Sequence, residues 1–398
     1  MAETSVITLA VRVLQQVAEG MAADAALREA LKRTRHRSAP VERRAVTRMI
    51  FAYFRWHEWL AKESRPADRL EEALELQDRF DRNPGAFKIE ALAARAVPSW
   101  VADAIDWPEP RIGGKPGATE AAWLRQLQRE PPLWLRVRRG REASVSRALG
   151  TGLALPEDPA FGPALAAPLA QLISARLYTG TADLFQTEVF RAGDFEIQDL
   201  GSQAVGFACA PQPGETWWDA CAGEGGKTLH LADLMDNRGL IWASDRSARR
   251  LERLRERAAR AKMFNYRAAS WDGSARLPTK TRFDGVLVDA PCSGLGTWRR
   301  NPHARWTTQP DDVRELAAVQ LRLLGHVAPG LKSGGRLIYA VCTLTRAETT
   351  GVVQAFSAAH PDFALEAPWP GATASPGVFL WPPVLNANGM FIACWRRK

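Results

Sequence analysis

A regular alternation of strand and helix patterns after Gly201 constrains the fold of this chain more than any other feature. The apolar strand pattern "ETWWDAC" is followed by the glycine-containing segment "AGEGGK" and the helix pattern "TLHLADLM". The succession recurs with "GLIWASD" and "SARRLERLRERAARAKM", and further strand patterns are "YRAAS", "FDGVLVDAP", "GRLIYAVCT" and "GMFIACWRR". Strands alternating with helices, with glycines at the first strand-to-helix turn, predict an α/β domain built on a doubly wound parallel sheet.

The residues before this region indicate two further parts. The first part has helical periodicity without strand alternation, as in "SVITLAVRVLQQVAEG", where Ile7, Val11 and Leu14 fall on one face. Prolines and glycines then become frequent, and short strand patterns follow in "LWLRVRR", "AQLISARLY" and "TEVFRAGDFEIQD", with the helix pattern "REASVSRAL" after the first. We therefore expect an all-α domain at 1–95, a connector with a small α+β subdomain at 96–197, and the α/β domain at 198–398.

Composition excludes several classes of protein. Of the 398 residues, 46% are hydrophobic and 24% charged, which argues against a disordered or fibrous chain. An odd number of cysteines and the lack of a signal peptide at Met1 favour a reducing cytoplasm and free thiols. No CxxC or HxxxH pair predicts a metal site, and no apolar run reaches the length of a membrane span. We expect a cytoplasmic monomer without a metal ion.

The positive charge of the chain is concentrated in clusters. The net charge is +9, and the segment from Lys32 to Arg48 contains seven Lys or Arg residues and only one acid, Glu42. A second cluster is "LWLRVRRGR", and a third contains Arg299, Arg300 and Arg305. Aromatic residues lie beside each cluster, and guanidinium groups with aromatic rings are what RNA-binding surfaces use. The alternative is that most of the tryptophans are packing residues.

Acids follow four successive strands of the α/β region: Asp219, Asp245, Asp272 and Asp289. Ligands bind at the carboxyl ends of such strands, and an acid after the second strand can hold a ribose diol. The loop "AGEGGK" has neither the G-x-G-x-x-G nor the P-loop spacing, so it does not predict a phosphate site. Any one acid could be a helix N-cap, but the four together favour a nucleoside-bearing cofactor.

Two cysteines follow neighbouring strand patterns. Cys292 stands in "VDAPCSGLG" and Cys342 in "YAVCTLT", so both are expected to face one crevice. A thiolate is a nucleophile toward an electron-poor ring carbon, such as one of a pyrimidine. Buried cysteines that act only as small hydrophobic residues are the alternative.

The motifs of the α/β region resemble those of a known family. "DACAGEGGKT", "FDGVLVDAPCSGLGTWRRNPHARW" and "LIYAVCTLTRAE" resemble, in order and spacing, the motifs of the RNA cytosine-C5 methyltransferases. The RsmB (Sun/Fmu) branch, which acts on 16S ribosomal RNA, is the most similar. "GDFEIQDLGSQAV" is similar to the segment ahead of that family's catalytic domain, and the helical N-terminus to its NusB-type RNA-binding domain.

The resemblance implies a Rossmann-like class I methyltransferase domain that uses S-adenosylmethionine. Cys342 would attack C6 of cytosine, Cys292 would help to remove the C5 proton, and Asp289 would hold the base. Arg299, Arg300 and Arg305 would bind RNA. The residues implied to bind the cofactor are Cys221, Ala222, Gly223, Glu224, Gly225, Gly226, Lys227, Asp245, Arg250, Asp272 and Asp289.

The chain departs from the family pattern at two places. The glycine loop usually reads Ala-Pro-Gly-Gly, whereas here Glu224 adds a charge where the methionine end of the cofactor would lie. The nucleophile segment usually reads Thr-Cys-Ser followed by Glu-Asn, whereas here it reads Val341-Cys342-Thr343, with Glu348-Thr349. A transfer RNA substrate and a catalytically silent ribosome-assembly factor remain the alternative functions. The second cysteine argues against a DNA cytosine methyltransferase.

Overall fold

The computed structural model describes residues 2–34, 39–154 and 174–398 of the chain. They form two compact units: a helical unit, Met1–Pro131 with Thr297–Gln309, and a sheet unit, Pro132–Gly296 with Pro310–Lys398. The predicted boundaries at 95/96 and 197/198 differ from this division. The helices continue to Leu127, and the small predicted subdomain is part of the sheet unit. The basic stretch 35–38 lies outside the described residues.

The helical unit contains helices and no strand among its described residues, as the periodicity predicts. Val13, Ile50 and Phe80 come from different helices and are fully buried in its core. Prolines begin two of the helices, where the missing N–H costs no hydrogen bond. The helices are Ala2–Ala18, Ala23–Arg33, Pro40–Arg55, Pro66–Arg82, Ile89–Arg95, Val101–Ala104, Ala118–Leu127 and Ala304–Thr307.

The buried face of the first helix differs from the predicted face by one position. Val6, Ala10 and Val13 are buried, whereas the predicted core residues, Ile7 and Leu14 among them, are half-buried. Apolar residues lie on both of these neighbouring faces, so the periodicity alone does not decide between them. Packing against the other helices decides it.

A four-stranded antiparallel sheet opens the sheet unit, in the order β2–β3–β1–β4. Leu135 and Val137 of its central strand pack with Val145 from the helix Glu142–Leu149, and all three are buried. The part of the predicted strand "AQLISARLY" at 170–173 lies outside the described residues. The strands are β1 (Leu133–Val137), β2 (Leu153–Ala154), β3 (Ala175–Tyr178) and β4 (Phe195–Ile197).

The predicted strand "TEVFRAGDFEIQD" is wrong in its first half, which is a short helix, Glu188–Arg191. Thr187 Oγ1 caps this helix by accepting a hydrogen bond of 3.3 Å from Phe190 N. Gly193 then turns the chain into β4 with a φ of +74°. The apolar spacing fits a strand and a helical turn equally well, and the cap favours the helix.

The main sheet has the order β10–β12–β9–β8–β5–β6–β7, with β11 paired to β12. Strands β5 to β9 are parallel, as predicted. Its strands are β5 (Thr216–Asp219), β6 (Leu240–Asp245), β7 (Tyr266–Ser270), β8 (Phe283–Asp289), β9 (Leu331–Val341), β10 (Phe363–Glu366), β11 (Val378–Leu380) and β12 (Met390–Arg397). The helices of this unit not yet given are Leu200–Cys209, Gly226–Leu234, Ala248–Arg260, Pro310–Val327, Thr350–Ala359 and Pro382–Leu385.

The edge of the sheet beyond β9 is antiparallel, which the predicted all-parallel sheet did not include. Only nine residues, 381–389, separate β11 from β12, and a parallel crossover needs a longer connection. Within the parallel part, the chain passes from β5 to β6 on one side and later returns to β8 on the other. The carboxyl ends of β5 and β8 therefore form the switch point where such sheets bind ligands.

Two kinds of feature are missing from the described part of the chain. None of its helices is both long and apolar enough to cross a membrane. Its His, Cys, Asp and Glu side chains do not group in threes that could hold a metal ion.

Candidate active site

A cavity of about 530 Å³ lies at the switch point of the main sheet. This volume falls within the range of small-molecule sites. Each cofactor residue predicted from the sequence lines it, with the exception of Gly225, and so do both Cys292 and Cys342. The sheet topology has thus gathered side chains that are as much as 140 positions apart in sequence, from Ser202 to Cys342.

The glycine loop after β5 forms one wall of the cavity. Gly223 and Gly225 have φ values of +54° and +84°, which glycine adopts without strain. A Cβ added at Gly225 would lie 2.7 Å from Leu254 Cγ, so this glycine allows the loop to pack on the helix Ala248–Arg260 and does not face the cavity. Glu224 is exposed, and its carbonyl oxygen accepts a hydrogen bond of 3.1 Å from Arg257 Nη1.

Asp219, at the end of β5, is completely buried. Thr228 Oγ1 donates a hydrogen bond of 2.7 Å to its Oδ2, whereas its Oδ1 has no hydrogen-bond partner among the described residues. Burial raises the pKa of this carboxyl group to about 7. A buried carboxyl oxygen without a partner at the wall of a cavity suits a hydrogen-bond donor of a bound ligand.

The acids after β6 and β7 differ in their surroundings. Asp245 is nearly buried and accepts hydrogen bonds from Gly223 N at 3.0 Å and from Ser247 N at 2.8 Å. It therefore fixes the glycine loop as well as lining the cavity. Asp272 is exposed, and hydrogen bonds from the side chain and the backbone N of Ser274 lower its pKa. The helices after β5 and β6 have Gly225 and Ser247 as N-caps, so neither Asp219 nor Asp245 caps a helix.

Lys227 and Asp289 form an ion pair at the switch point. Lys227 Nζ donates a hydrogen bond of 2.6 Å to Asp289 Oδ2. Burial lowers the pKa of Lys227, but the charge of Asp289 and this hydrogen bond raise it by more, so the pKa lies above its ordinary value. The ammonium group is therefore charged, and it holds the Asp289 carboxylate between the glycine loop and the cysteines.

The two cysteines of the cavity are in contact. Cys292 Sγ lies 3.3 Å from Cys342 Sγ, and both are free thiols. The hydrogen bond with Cys342 and burial raise the pKa of Cys292 well above its ordinary value. Cys292 is therefore held as a thiol. The sequence predicts a shared crevice but not this separation.

Several residues of the cavity were missed by the sequence reasoning. Ser202 lines it from the segment "QDLGSQ", which the family resemblance did mark. Trp271 follows β7 directly, and Arg257 comes from the helix Ala248–Arg260. Neither residue belongs to a motif. In particular, nothing in a helical pattern shows which arginine faces a neighbouring loop.

The predicted RNA-binding arginines belong to the helical unit, and one prediction needs correction. Arg305 is completely buried, and its guanidinium donates to the carbonyl oxygens of Ala96, Leu127 and Trp298. A guanidinium enclosed in this way is a packing group and does not reach RNA. Arg299 is half-buried and donates to Glu130 O at 2.6 Å. Arg300 is exposed, and RNA binding by Arg299 and Arg300 stays a prediction.

The comparison with known proteins agrees with this fold. Along its whole length the chain is similar to the crystal structure of PH0851, with a TM-score of 0.75, 21% identity and 98% of each chain covered. This likeness confirms the helical N-terminal region and the Rossmann-like C-terminal domain.

Curated relatives match a smaller part of their own length. A probable ribosomal RNA small subunit methyltransferase B from Bacillus subtilis is 36% identical over 235 residues, which is 56% of this chain and 52% of the relative. Ribosomal RNA small subunit methyltransferase B from Pectobacterium atrosepticum is 32% identical over 305 residues, which is 74% of this chain and 65% of the relative. The chain thus matches between about half and two thirds of the length of these two relatives.

A family model described as "16S rRNA methyltransferase RsmB/F" matches residues 207–396. That range contains β5 to β12, the glycine loop and both cysteines of the cavity. The domain at residues 207–396 is therefore a member of the RsmB/F family of methyltransferases.

Proposed function

We propose that this chain transfers a methyl group from S-adenosylmethionine to C5 of a cytosine in 16S ribosomal RNA. The observation that carries the proposal is the contact between Cys292 and Cys342 beside the Lys227–Asp289 ion pair, inside one cavity. Two thiols and a fixed carboxylate can supply the nucleophile, the proton acceptor and the base-binding group for methylation of an unreactive pyrimidine carbon. The family description and the names of the relatives support the ribosomal substrate.

The residues of the cavity fit S-adenosylmethionine. Asp219 Oδ1 has no partner among the described residues and could accept a hydrogen bond from the cofactor's ammonium group. Asp245 lines the cavity after β6, where an acid suits a ribose diol. Asp272 lines the cavity after β7 and would bind the adenine. When bound, the cofactor supplies the electrophilic methyl group.

Cys342 is the nucleophile in this proposal. Its sulfur loses its proton to water and attacks as the thiolate, forming a bond to C6 of the cytosine. The electrons of the C5–C6 double bond move to C5, which can then take the methyl group. The base must leave its stack to reach the cavity. Asp289, held by Lys227, is placed to bind the N3 and amine edge of the base and to offset the charge that develops in the ring.

Cys292 acts in the release of the product. After methylation, C5 carries both a methyl group and a proton, and loss of that proton returns the electrons of the S–C6 bond to Cys342. Cys292 lies 3.3 Å from Cys342, so its sulfur is beside the adduct and can assist the proton transfer. Cys292 is a thiol in the free protein, so it can accept the C5 proton only after its own proton has left, and its raised pKa then makes the thiolate a strong proton acceptor.

Bisulfite mapping of cellular RNA tests the proposal. In cells that lack this protein, one cytosine of 16S ribosomal RNA should lose its protection from bisulfite conversion, and the wild-type gene should restore that protection. A gene with Cys342→Ala should not. If the protected cytosine is in transfer RNA, or if no cytosine changes, the proposed substrate or the proposed activity is wrong.

A further inference from the structure

A buried carboxylate lies beneath the two cysteines. Glu348 is completely buried in the short helical turn Arg346–Glu348 that follows β9 and Cys342. Its Oε1 accepts a hydrogen bond of 2.8 Å from Ser293 N, and its Oε2 accepts one of 2.5 Å from Ser293 Oγ. Thr343 Oγ1 donates to the same Oε2 at 3.1 Å. Ser293 and Thr343 directly follow Cys292 and Cys342, so one carboxylate holds the residue after each cysteine.

Gln320 extends this network to the other side of Cys292. Its Nε2 donates to Glu348 Oε1 at 3.0 Å and to Pro291 O at 2.9 Å. Its Oε1 accepts from Tyr339 Oη at 2.8 Å, and Tyr339 lies in β9 three residues before Cys342. The backbone on both sides of Cys292 is thus tied to the strand that carries Cys342.

Glu348 has no ion-pair partner within the described part of the chain, although its charge is buried. Hydrogen bonds from Ser293, Thr343, Thr345 and Gln320 satisfy its two oxygens, the one from Thr345 Oγ1 being 2.8 Å long. Such a set of donors suits an ionised carboxylate, which only accepts. A buried charge held by hydrogen bonds alone is retained at a cost in stability, which points to a role beyond packing.

We propose that Glu348 is a positioning residue that sets the separation of Cys292 and Cys342 and thereby controls release of the methylated base. The inference rests on the proposed cytosine-C5 methylation. Without Glu348, the loop that carries Cys292 loses two of its hydrogen bonds to the turn after β9. Cys342 can still attack, but Cys292 is displaced from the adduct, so elimination slows.

Glu348→Gln tests this role, because it keeps the size of the side chain and removes the charge. The NH2 group of the glutamine would also point N–H hydrogens at partners that are themselves hydrogen-bond donors. We expect kcat to fall by about 100-fold, the cost of a misplaced catalytic group, while the affinity for S-adenosylhomocysteine stays within about twofold of wild type. RNA should accumulate as a covalent adduct through Cys342, visible as a slow band on a denaturing gel.

Glu366→Gln is the matched control. Glu366 is a carboxylate of the same unit that binds Arg336 at 2.6 Å and Arg396 at 2.8 Å and touches neither cysteine loop. It should lower stability without changing the adduct level or kcat. If Glu348→Gln and Glu366→Gln give the same kcat and adduct level, Glu348 is only structural. If Glu348→Gln does not fold, Ser293→Ala removes one donor to the carboxylate and should change the same quantities in the same direction.

A second measurement needs no RNA and no activity. Alkylation of the free protein by iodoacetamide, followed by peptide mass spectrometry, gives a rate for each cysteine. The charge of Glu348 contributes to the raised pKa of Cys292, behind the hydrogen bond with Cys342 and burial. Glu348→Gln should therefore speed alkylation of Cys292 several-fold at pH 8, and Glu366→Gln should not. This outcome holds even if the wild-type protein methylates no cytosine, whereas equal rates in the two variants would overturn the inference.

Discussion

Lys227 Nζ lies 2.6 Å from Asp289 Oδ2, which joins the loop after β5 to the end of β8. Asp289→Asn should leave the ammonium group buried without a counter-charge, at a cost of about 3 kcal/mol in the free energy of unfolding. Urea unfolding measures this cost. Lys227→Met is the partner variant: it removes the same ion pair but keeps the carboxylate that would hold the base. We therefore expect Lys227→Met to retain more methyl transfer than Asp289→Asn, and the reverse order would contradict the assigned role of Asp289.

The two cysteines should give opposite results in an adduct assay. Cys342→Ala should abolish methyl transfer and covalent attachment of RNA, because the attacking sulfur is gone. Cys292→Ala should allow attack and slow release, so RNA should remain attached through Cys342. The double variant is the control and should show no adduct. If RNA becomes covalently attached through Cys292 in the Cys342→Ala protein, Cys292 is the nucleophile and the roles of the two cysteines are reversed.

Asp219 should make stability depend on pH. Burial raises its pKa to about 7 in the folded state, from its ordinary value of 3.8, so the folded state binds more protons between these values. The contribution of protonated Asp219 to the free energy of unfolding is therefore complete below about pH 4. It is lost as the pH rises toward 7, by up to about 4 kcal/mol. Asp219→Asn should lose that dependence and be more stable than wild type at pH 8, measured by urea unfolding at both ends of the range.

The same variant should weaken binding of S-adenosylhomocysteine. The oxygen of the asparagine amide can still accept the hydrogen bond from Thr228. The NH2 group then takes the place of the unpartnered oxygen at the cavity wall, and the negative charge is lost. Calorimetric titration at pH 8 should show a loss of about tenfold, which corresponds to one charge-assisted hydrogen bond. Higher stability with unchanged affinity would mean that Asp219 does not contact the cofactor.

Arg305 and Arg300 should separate packing from RNA binding. Arg305→Met leaves three carbonyl oxygens in the helical unit without their donor, so the free energy of unfolding should fall by about 3 kcal/mol. Arg300→Ala removes an exposed side chain and should leave stability within about 0.5 kcal/mol. It should instead weaken RNA binding and reduce its salt dependence. If Arg300→Ala leaves RNA affinity unchanged at low and high salt, the predicted contact is wrong.

The grouping of Asp289 and the two cysteines in one cavity was largely predictable, because all three stand at strand ends. Asp289, Cys292 and Cys342 come directly after apolar strand patterns, and parallel strands bring their carboxyl ends to one edge. The 3.3 Å contact between the sulfurs was not predictable, since it depends on Glu348 and Gln320 beneath the loops. No local pattern shows that these two polar residues point into the sheet unit.

The errors have a common physical cause. Arg305 stands in a basic, aromatic loop typical of an RNA surface, yet burial among carbonyl oxygens satisfies a guanidinium as well as phosphates would. The antiparallel strand β12 looks like any apolar strand in sequence, and its direction depends on the length of the preceding connection. In both cases a partner distant in sequence decides the outcome.

The path of the chain also bears on how the protein is made. The helical unit takes its first 131 residues from the start of the chain, but Thr297–Gln309 completes it. Trp306 Nε1 donates to Phe54 O, and Trp298 packs edge-on against Trp100, so this late segment supplies part of the unit's interior. During synthesis, the earliest helices must therefore wait for more than 160 further residues before their packing is finished. A truncation at residue 131 would for the same reason release an incomplete unit and leave two tryptophans of the remaining chain without their partners.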